Sequence, residues 1–165
     1  MILWSVPEDS ATTPRRTQRL GAYAVAFRSG FAGQAQILLT RISPTGYPPG
    51  WWTLPGGGVD HGESPNLAVL RELHEEAGLV AESSALVAVH DVHLVDTGRH
   101  DMYEDYHGVH LLYRVVVDPD VTPHVVEVGG STDRAEWVDL AAVGVTHTPI
   151  LPMLEHVIDH VDDFR

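Results

Sequence analysis

The chain has no cysteine among its 165 residues. This absence excludes disulfide bonds, zinc sites built on thiolates, iron–sulfur clusters and a cysteine nucleophile. Basic residues are also few, since 10 Lys and Arg stand against 23 Asp and Glu and leave a formal net charge of −13. A surface with this charge repels polyanions, so we expect no nucleic-acid partner and no binding to anionic membranes. A phosphate compound can still bind such a protein where metal ions mediate the contact.

Long hydrophobic runs are absent as well. No segment approaches the roughly 18 continuous apolar residues of a membrane span, and the first residues lack the basic start and apolar core of a secretory signal. Arg15 and Arg16 could belong to a twin-arginine signal, but the apolar run that follows them is too short. We therefore expect a soluble, cytoplasmic protein.

The length and composition indicate one domain. A chain of 165 residues with 44% hydrophobic residues can close around a single core, whereas two domains would leave each half with too little apolar surface. Residues 1–18 include Pro7 and Pro14 and show no periodicity, which predicts an N-terminal arm. Residues 19–165 are then the single domain.

Alternating strand and helix signals predict an α/β (α+β) fold. Apolar runs bounded by turn residues predict strands at 20–27, 36–42, 51–54, 85–95, 109–117 and 136–138. A turn at 29–33 would join the first two strands as a hairpin, and the polar residues 96–108 would form a loop. A helix is predicted over 65–77, and a last helix follows Thr148. Strands on both sides of an internal helix indicate a mixed sheet between helices.

Each end of the internal helix has its own signal. Ser64 is a favourable N-cap, Pro65 occupies the first helical position, and Gly78 suits the left-handed position after the last turn. Apolar residues at helical spacing predict the buried face of this helix, namely Leu67, Leu70, Leu73 and Ala77.

Three carboxylates lie on the other side of the predicted helix. At 100° per residue, Glu72, Glu75 and Glu76 fall within an arc of about 100°. Like charges at i and i+4 destabilise a helix slightly, and a bound divalent cation would turn this repulsion into attraction. Carboxylate oxygens favour Mg²⁺ or Mn²⁺ over metals that prefer soft ligands. On the helix pattern alone, an ordinary solvated acidic face is an equally good interpretation.

The complete spacing is more specific than the helix pattern. Gly57 is followed after five residues by Glu63 and, after seven more, by the run Arg71-Glu72-Leu73-His74-Glu75-Glu76-Ala77-Gly78-Leu79. This arrangement resembles the Nudix box, G-x5-E-x7-R-E-U-x-E-E-x-G-U with U apolar, and no fixed position is missing. The flanking residues 52–57 and 136–140 also resemble strands of that family.

The resemblance implies a Nudix-type α/β/α sandwich and a Mg²⁺-dependent hydrolase, with Mn²⁺ as a substitute, for a nucleoside diphosphate linked to another group. By this resemblance Glu72, Glu75 and Glu76 are catalytic metal ligands, and the carbonyl of Gly56 is a further ligand. Two other residues of the box, Glu63 and Arg71, would hold its loop on the helix. Metal-activated water would attack phosphorus. The general base is left open among Glu72, Glu104, Asp105 and Glu127.

Aromatic and acidic side chains outside the box are candidates for substrate contacts. If Trp51 and Trp52 lie in a strand, one of them packs in the core and the other faces outward, where it could stack on a base. The predicted loop at 96–108 is a candidate lid, with aromatic residues for a base and acids facing the metal site. Its residues of interest are Tyr103, Glu104, Asp105 and Tyr106.

Histidines offer a competing zinc interpretation. The sequence has 11 of them, and His90, His93, His107 and His110 form the obvious group. Residues three apart in a strand point to opposite faces, so His90 and His93 cannot share a metal without a bulge. We therefore favour surface or pocket-rim roles for the histidines.

Sequence patterns outside the box reduce the number of substrate classes to consider. A proline about fifteen residues after the box marks many ADP-ribose hydrolases of this family, but Leu94 stands there. The NADH hydrolase and coenzyme A patterns are missing too. We expect a small-molecule substrate, a nucleoside triphosphate or a related nucleotide derivative. The alternative is a nucleotide-sensing domain without turnover, and a homodimer is one candidate assembly.

Overall fold

The computed structural model of the chain describes residues 13–97 and 102–165. Within these ranges the strands are β1 (Arg15–Val25), β2 (Phe27–Ser29), β3 (Ala35–Ile42), β4 (Trp52–Thr53), β5 (Gly56–Gly58), β6 (Ala81–Thr97), β7 (Tyr103–Val117) and β8 (Thr132–Asp139). The α-helices are α1 (Pro65–Ala77) and α2 (Pro152–Asp159). Short 3-10 turns occupy Phe31–Gly33, Leu140–Ala142 and Val161–Phe164.

The strands form two four-stranded sheets. In the first sheet the order is β5-β1-β7-β6, and β1 runs parallel to β7 while the other pairs are antiparallel. In the second sheet β3 pairs with β2, β4 and β8, all antiparallel. The first sheet is therefore mixed, and it carries the glycine strand β5 at one edge.

One helix covers each face of the mixed sheet. Ala22 and Ala24 of β1 pack in one buried cluster with Leu73 of α1, whereas the next residue, Val25, packs with Leu154 of α2. Neighbouring residues in a strand point to opposite faces. The predicted mixed sheet between helices is thus confirmed.

The predicted hairpin is only partly correct. The turn at 29–33 does join an antiparallel pair, but that pair is the short β2 with β3. The predicted strand at 20–27 is split, because β1 ends at Val25 in the first sheet and β2 begins at Phe27 in the second. A single apolar run serves two sheets, which hydrophobicity alone does not reveal.

The arm predicted for residues 1–18 is wrong at its C-terminal end. β1 begins at Arg15, which pairs with Glu104 of β7, so 15–18 belong to the sheet. The backbone of β7 supplies the partners that this polar segment needs, and no local pattern shows that. Residues 1–12 lie outside the described ranges.

The loop predicted at 96–108 is also wrong for most of its length. β6 continues to Thr97, and β7 begins at Tyr103 with a strand on each side. Polar pairs across the strands take the place of an apolar pattern, as where His93 Nε2 lies 2.5 Å from Asp105 Oδ1. Residues 98–101 lie outside the described ranges.

The limits predicted for helix α1 are confirmed. The helix begins at Pro65 and ends at Ala77, and Gly78 has a φ of 66° with its N–H donating to His74 O. The side chain of Ser64 makes no capping hydrogen bond, although its carbonyl accepts from the first turn. The predicted buried face is correct at Leu73 and Ala77 but wrong at Leu67, which is 59% exposed. Ala68, Val69 and Glu76 are buried as well.

Candidate active site

Glycines bring the sheet edge close to helix α1. Gly56 has a φ of 151°, and a Cβ on it would lie 2.6 Å from Tyr23 Cα. A Cβ on Gly57 would lie 2.5 Å from Glu72 Oε1. Only glycine fits at Gly56, because a Cβ there would meet backbone atoms, whereas a Cβ on Gly57 would displace the Glu72 carboxylate. The backbone of β5 therefore lies directly against the carboxylates of α1.

Arg71 connects the loop after β5 to the carboxylates of the helix. Its guanidinium donates to both oxygens of Glu63 at 2.9 and 3.0 Å, and to Gly58 O at 3.1 Å. The Nη1 atom donates to Glu72 Oε1 at 2.9 Å and to Glu75 Oε2 at 3.1 Å. One cation thus contacts three carboxylates and one backbone carbonyl.

This network fixes the charge of Glu63. Its hydrogen bonds from Arg71, followed by the bond from Asp60 N, lower the pKa of Glu63 to about 2. The same contact with Glu63 raises the pKa of Arg71 above its ordinary value. Both groups therefore stay ionised at any pH at which the protein is used.

Glu76 lies in the opposite environment. Its side chain is buried, and it accepts hydrogen bonds from Gly56 N at 2.9 Å, Thr132 Oγ1 at 2.6 Å and Ser131 Oγ at 3.3 Å. Burial raises the pKa of Glu76 to about 7, although these hydrogen bonds oppose the rise. Near neutral pH the carboxyl group can therefore gain or lose a proton.

Glu72 and Glu75 are held differently from Glu76. Burial raises the pKa of the half-buried Glu72, while its hydrogen bond with Arg71 opposes that rise. Glu75 is more exposed and contacts the same Arg71 nitrogen. These two carboxylates share a cation that belongs to the chain itself.

The donor set of this site fits a hard divalent cation. Three carboxylates and the backbone of a glycine strand supply only oxygen ligands, and a cation nearby would favour the ionised form of Glu76. Within residues 13–97 and 102–165, no three His, Asp or Glu side chains converge as a ready metal cluster. Binding of a cation would thus require Glu72 and Glu75 to turn away from Arg71.

The structure separates the two predicted tryptophans. Trp52 is buried, 6% exposed, with its ring edge-on to that of His147 at 4.7 Å, while Trp51 is half-buried. Trp52 is therefore a core residue, and the prediction that one of the pair packs inside is correct. A stacking role is left to Trp51 alone.

The four residues of the predicted lid lie on strand β7 and divide between its two faces. Glu104 accepts a hydrogen bond from Thr17 Oγ1 at 3.3 Å, and Tyr106 shares the α2 side of the sheet with Tyr23. Tyr103 and Asp105 alternate with them, and Asp105 contacts Arg16 at 3.5 Å. A strand with partners on both sides cannot close as a lid.

Glu127 lies beside the C-terminal end of α1. Its backbone N–H donates to Glu75 O at 3.0 Å, and Val126 N donates to the same carbonyl at 2.9 Å. The exposed Glu127 is thus the loop carboxylate tied most directly to the box helix.

Four residues near the carboxylates are not predicted from the sequence. Ser131 and Thr132 bond to Glu76 from more than 50 positions away in the chain, and no local signal marks them. Arg19 and Tyr23 lie on the α2 side of β1, and the charge of Arg19 opposes the rise that burial causes in the pKa of Tyr23 and of Glu72. The alternation of residues along β1 could have predicted that Arg19 and Tyr23 share one face of the strand with Gly21.

The four predicted histidines form two separate cross-strand pairs. His90 lies opposite His110, with their Nδ1 atoms 3.1 Å apart, and His93 lies opposite His107. The two pairs fall on opposite faces of the sheet, as the strand period requires. They therefore cannot form one metal site together.

Comparison with known proteins identifies the fold. The family model of the NUDIX domain matches residues 17–160. RNA pyrophosphohydrolase of Cereibacter sphaeroides is 37% identical over 94 residues, covering 52% of this chain and 54% of that protein. RNA pyrophosphohydrolase of Vibrio cholerae is 45% identical over 49 residues, covering 30% of this chain and 24% of that protein. The chain thus spans about half or less of the length of these curated relatives.

Solved structures agree over most of the chain. A MutT NUDIX hydrolase from Burkholderia pseudomallei has a TM-score of 0.68 and 28% identity, covering 88% of this chain and 98% of that chain. The NUDIX domain of Shewanella oneidensis NrtR, solved with ADP ribose, has a TM-score of 0.69 and 23% identity over 89% of this chain and 88% of that chain. At that identity the second likeness shows the fold alone.

The family model matches most of the described chain, and it includes the glycine strand, the Arg71 network and Glu76. The predicted resemblance is therefore confirmed, and the chain belongs to the NUDIX domain family.

Proposed function

We propose that the protein is a Mg²⁺-dependent pyrophosphohydrolase that cleaves a nucleoside triphosphate or a related nucleoside diphosphate derivative. The observation that carries this proposal is the contact of two carboxylates of α1 with the glycine strand, Glu72 beside Gly57 and Glu76 bonded to Gly56 N, with burial raising the pKa of both. Nudix hydrolases generally use divalent metals. A bound Mg²⁺ would supply Lewis-acid stabilisation of phosphoryl oxygens and acidify water.

The residues of the chain have separate tasks in this proposal. Glu72, Glu75 and Glu76, with the carbonyl of Gly56, are the oxygen ligands for the cation. Arg71 keeps the loop after β5 in place through Glu63 and Gly58. The hydrogen bonds from Thr132 and Ser131 fix the orientation of Glu76.

Two groups are suited to accept the proton of the attacking water. Glu72 lies against Gly57 at the site, and its pKa is raised by burial, which makes it a stronger base than a solvated carboxylate. Glu127 is the second candidate, because its backbone is tied to Glu75. Asp105 is a weaker one, since its contacts with His93 lower its pKa.

A second substrate follows from the relatives. The matched proteins from Cereibacter sphaeroides and Vibrio cholerae are named RNA pyrophosphohydrolases, which favours the 5′-triphosphate end of RNA as an alternative to a free nucleotide. The net charge of −13 opposes binding of a long polyanion. We therefore place the free nucleotide first.

A hydrolysis screen tests this proposal. The substrates are the nucleoside triphosphates, ADP-ribose, a dinucleoside tetraphosphate, nucleotide sugars and a short 5′-triphosphate RNA, each with Mg²⁺, with Mn²⁺ and in EDTA. We expect metal-dependent release of pyrophosphate or phosphate from a free nucleotide. Turnover of the RNA alone would overturn the choice of substrate class. Nucleotide binding without any turnover, in the wild type and in Glu76→Gln alike, would instead identify a nucleotide-sensing domain.

We also infer a small-molecule nucleotide partner and a cytoplasmic location, with a homodimer as a candidate assembly. In the described ranges the structure contains no helix that is long and apolar enough to cross a membrane. Size-exclusion chromatography with light scattering measures the assembly directly.

A further inference from the structure

Arg19 is a cation without a hydrogen-bond or ion-pair partner among the residues that the structure describes. All ten basic residues of the sequence are arginines. Arg41 and Arg71 are held in bidentate pairs with carboxylates. Arg19 is exposed and makes no ion pair or hydrogen bond with any described residue. In a chain with a net charge of −13, a free guanidinium beside the active site is available to an anion.

The guanidinium of Arg19 lies across strand β5 from the carboxylates. A Cβ on Gly58 would lie 3.2 Å from Arg19 Nη2, whereas a Cβ on Gly57 would lie 2.5 Å from Glu72 Oε1. Successive residues of a strand face opposite sides, so β5 has Glu72 on one side and Arg19 on the other. Because β5 consists of three glycines, this strand places no side chain of its own between the two.

Polar side-chain atoms lie close to two glycines near Arg19, Gly108 on the paired strand and Gly21 on its own. Arg19 pairs with Gly108 of β7 in the parallel register. A Cβ on Gly108 would lie 2.9 Å from one phenol oxygen and 3.0 Å from one imidazole nitrogen, and a Cβ on Gly21 would lie 3.1 Å from another phenol oxygen. These atoms belong to Tyr106, His110 and Tyr23.

We propose that Arg19 binds a third phosphate of a nucleoside triphosphate, on the α2 side of strand β5, while the diphosphate link that is cleaved lies beside Glu72 and Glu76. The inference rests on the proposed function and narrows its substrate class. Guanidinium groups bind phosphate oxygens with two parallel hydrogen bonds, and Tyr23 and Tyr106 add hydroxyl donors. Substrates with three phosphates should bind better than those with two.

Two analogues that differ by one phosphate test this inference. The probes are α,β-methylene-ATP and α,β-methylene-ADP, neither of which can be hydrolysed at the methylene bridge, titrated calorimetrically in the presence of Mg²⁺. We expect the wild type to bind the triphosphate analogue about 10-fold or more tightly than the diphosphate analogue, the scale of a charge-assisted hydrogen bond. Arg19→Gln should remove this preference and leave binding of the diphosphate analogue within about twofold.

Arg15→Gln is the matched control. Arg15 is exposed, lies on the same strand and face as Arg19, and has no partner among the described residues. Its loss changes the net charge equally and should keep the preference for three phosphates. The inference is overturned if the wild type shows no preference, or if both variants change it alike, or if Arg19→Gln weakens both analogues equally. A kept preference with no turnover of any nucleotide would contradict the proposed function alone.

Discussion

Glu63 and Glu76 contact the same stretch of β5 and its loop, yet their surroundings have opposite effects on their charges. Arg71 lowers the pKa of Glu63 to about 2, whereas burial raises the pKa of Glu76 to about 7. Glu63 is thus a permanent anion that joins loop to helix. Glu76 is a carboxyl group whose charge depends on what lies next to it. Spacing in the sequence places both residues, but solvent access and partners decide what each can do.

The charged form of Glu76 destabilises the metal-free protein for a reason other than the one the sequence indicates. The sequence indicates repulsion between Glu72 and Glu76, one turn apart. In the structure Glu72 is bonded to Arg71, and Glu76 is bonded to Gly56, Ser131 and Thr132. Burial is the largest cause of the raised pKa of Glu76, and Glu72 contributes less. The main cost is removal from water, with repulsion as a smaller part.

The largest effect is expected on the rate of catalysis, when a carboxylate of the proposed metal site is replaced. We expect Glu76→Gln, like Glu72→Gln, to lower kcat by at least about 10²-fold, the scale of a lost metal-positioning or acid–base carboxylate. The exposed His74, replaced by Ala, is the control on the same helix and should change kcat by less than about threefold. Steady-state rates with saturating Mg²⁺ measure this. Activity retained in both Gln variants would remove the box from the mechanism.

The pH dependence of stability should sharpen the contrast. The folded pKa of Glu76 lies above its unfolded value of 4.5, so its contribution is complete below about pH 4.5 and is lost as the pH rises through about 7. In urea unfolding in EDTA, this contribution should amount to a loss of roughly 1 to 3 kcal/mol between pH 5 and 8, measured as the difference between the wild type and Glu76→Gln. The variant is the necessary reference because burial lowers the pKa of His110 to about 4, which changes stability in the opposite direction below about pH 6.5. Mg²⁺ should reduce the difference, and identical pH profiles of the two proteins would contradict the buried-carboxyl account.

The contribution of Glu63 to the free energy of unfolding should change with pH in the opposite direction to that of Glu76. Its folded pKa of about 2 lies below the unfolded value of 4.5, so its contribution is complete above about pH 4.5 and is lost as the pH falls toward 2. Glu63→Gln should therefore remove part of the acid sensitivity of unfolding while leaving the change between pH 5 and 8 in place. Equal effects of Glu63→Gln and Glu76→Gln on both limbs of the profile would erase the distinction between them.

Replacement of Arg71 should destabilise the protein, because Arg71 offsets the repulsion among the carboxylates that it contacts. Arg71→Met keeps the length of the side chain but leaves Glu63, Glu72 and Glu75 without their shared cation. We expect a loss of about 1 to 2 kcal/mol in urea unfolding at pH 7, a range lowered for partial exposure. Arg134→Met, which removes an exposed contact of 3.8 Å to Glu136, should cost less than about 0.5 kcal/mol. Equal losses would show that the Arg71 network contributes no more than a surface ion pair.

The smallest effect is expected at Glu75. Its carboxylate is the more exposed partner of Arg71, so Glu75→Gln should destabilise the metal-free protein by a few tenths of a kcal/mol. Its loss should still reduce the rise in Tm that Mg²⁺ produces, since ligands of a bound ion stabilise only the folded state. An undiminished Mg²⁺ shift in differential scanning calorimetry would exclude Glu75 from the metal site.

Local signals predicted the box helix almost completely. Pro65, Gly78 and the apolar spacing identify the helix and its ends, because each acts within a few residues of the boundary. The mixed sheet between helices also followed from the order of elements. The sequence could not show that Arg15 begins a paired strand, because its partner Glu104 lies about 90 residues away. Tyr103 pairs with the nearby Thr97, but the polar residues around it carry no apolar pattern that would predict a strand.

The same limit applies to the site. The positions of Glu63, Arg71 and Glu72 follow from one continuous motif, whereas Thr132, Arg19 and Tyr23 reach it only through the sheet. No periodicity of the helix indicates that Glu76 is buried while Glu75 is not. Burial is a property of the completed packing, and the pKa of Glu76 follows from it.

The hydrogen bonds of Glu76 join three distant parts of the chain. They reach 20 residues back to Gly56, and 55 and 56 residues forward to Ser131 and Thr132. Contacts of such sequence separation close large loops, which slows folding and makes them late to form. Recovery of enzymatic activity after dilution from denaturant should therefore lag behind recovery of helical signal. Activity then reports the formation of these long-range hydrogen bonds of Glu76.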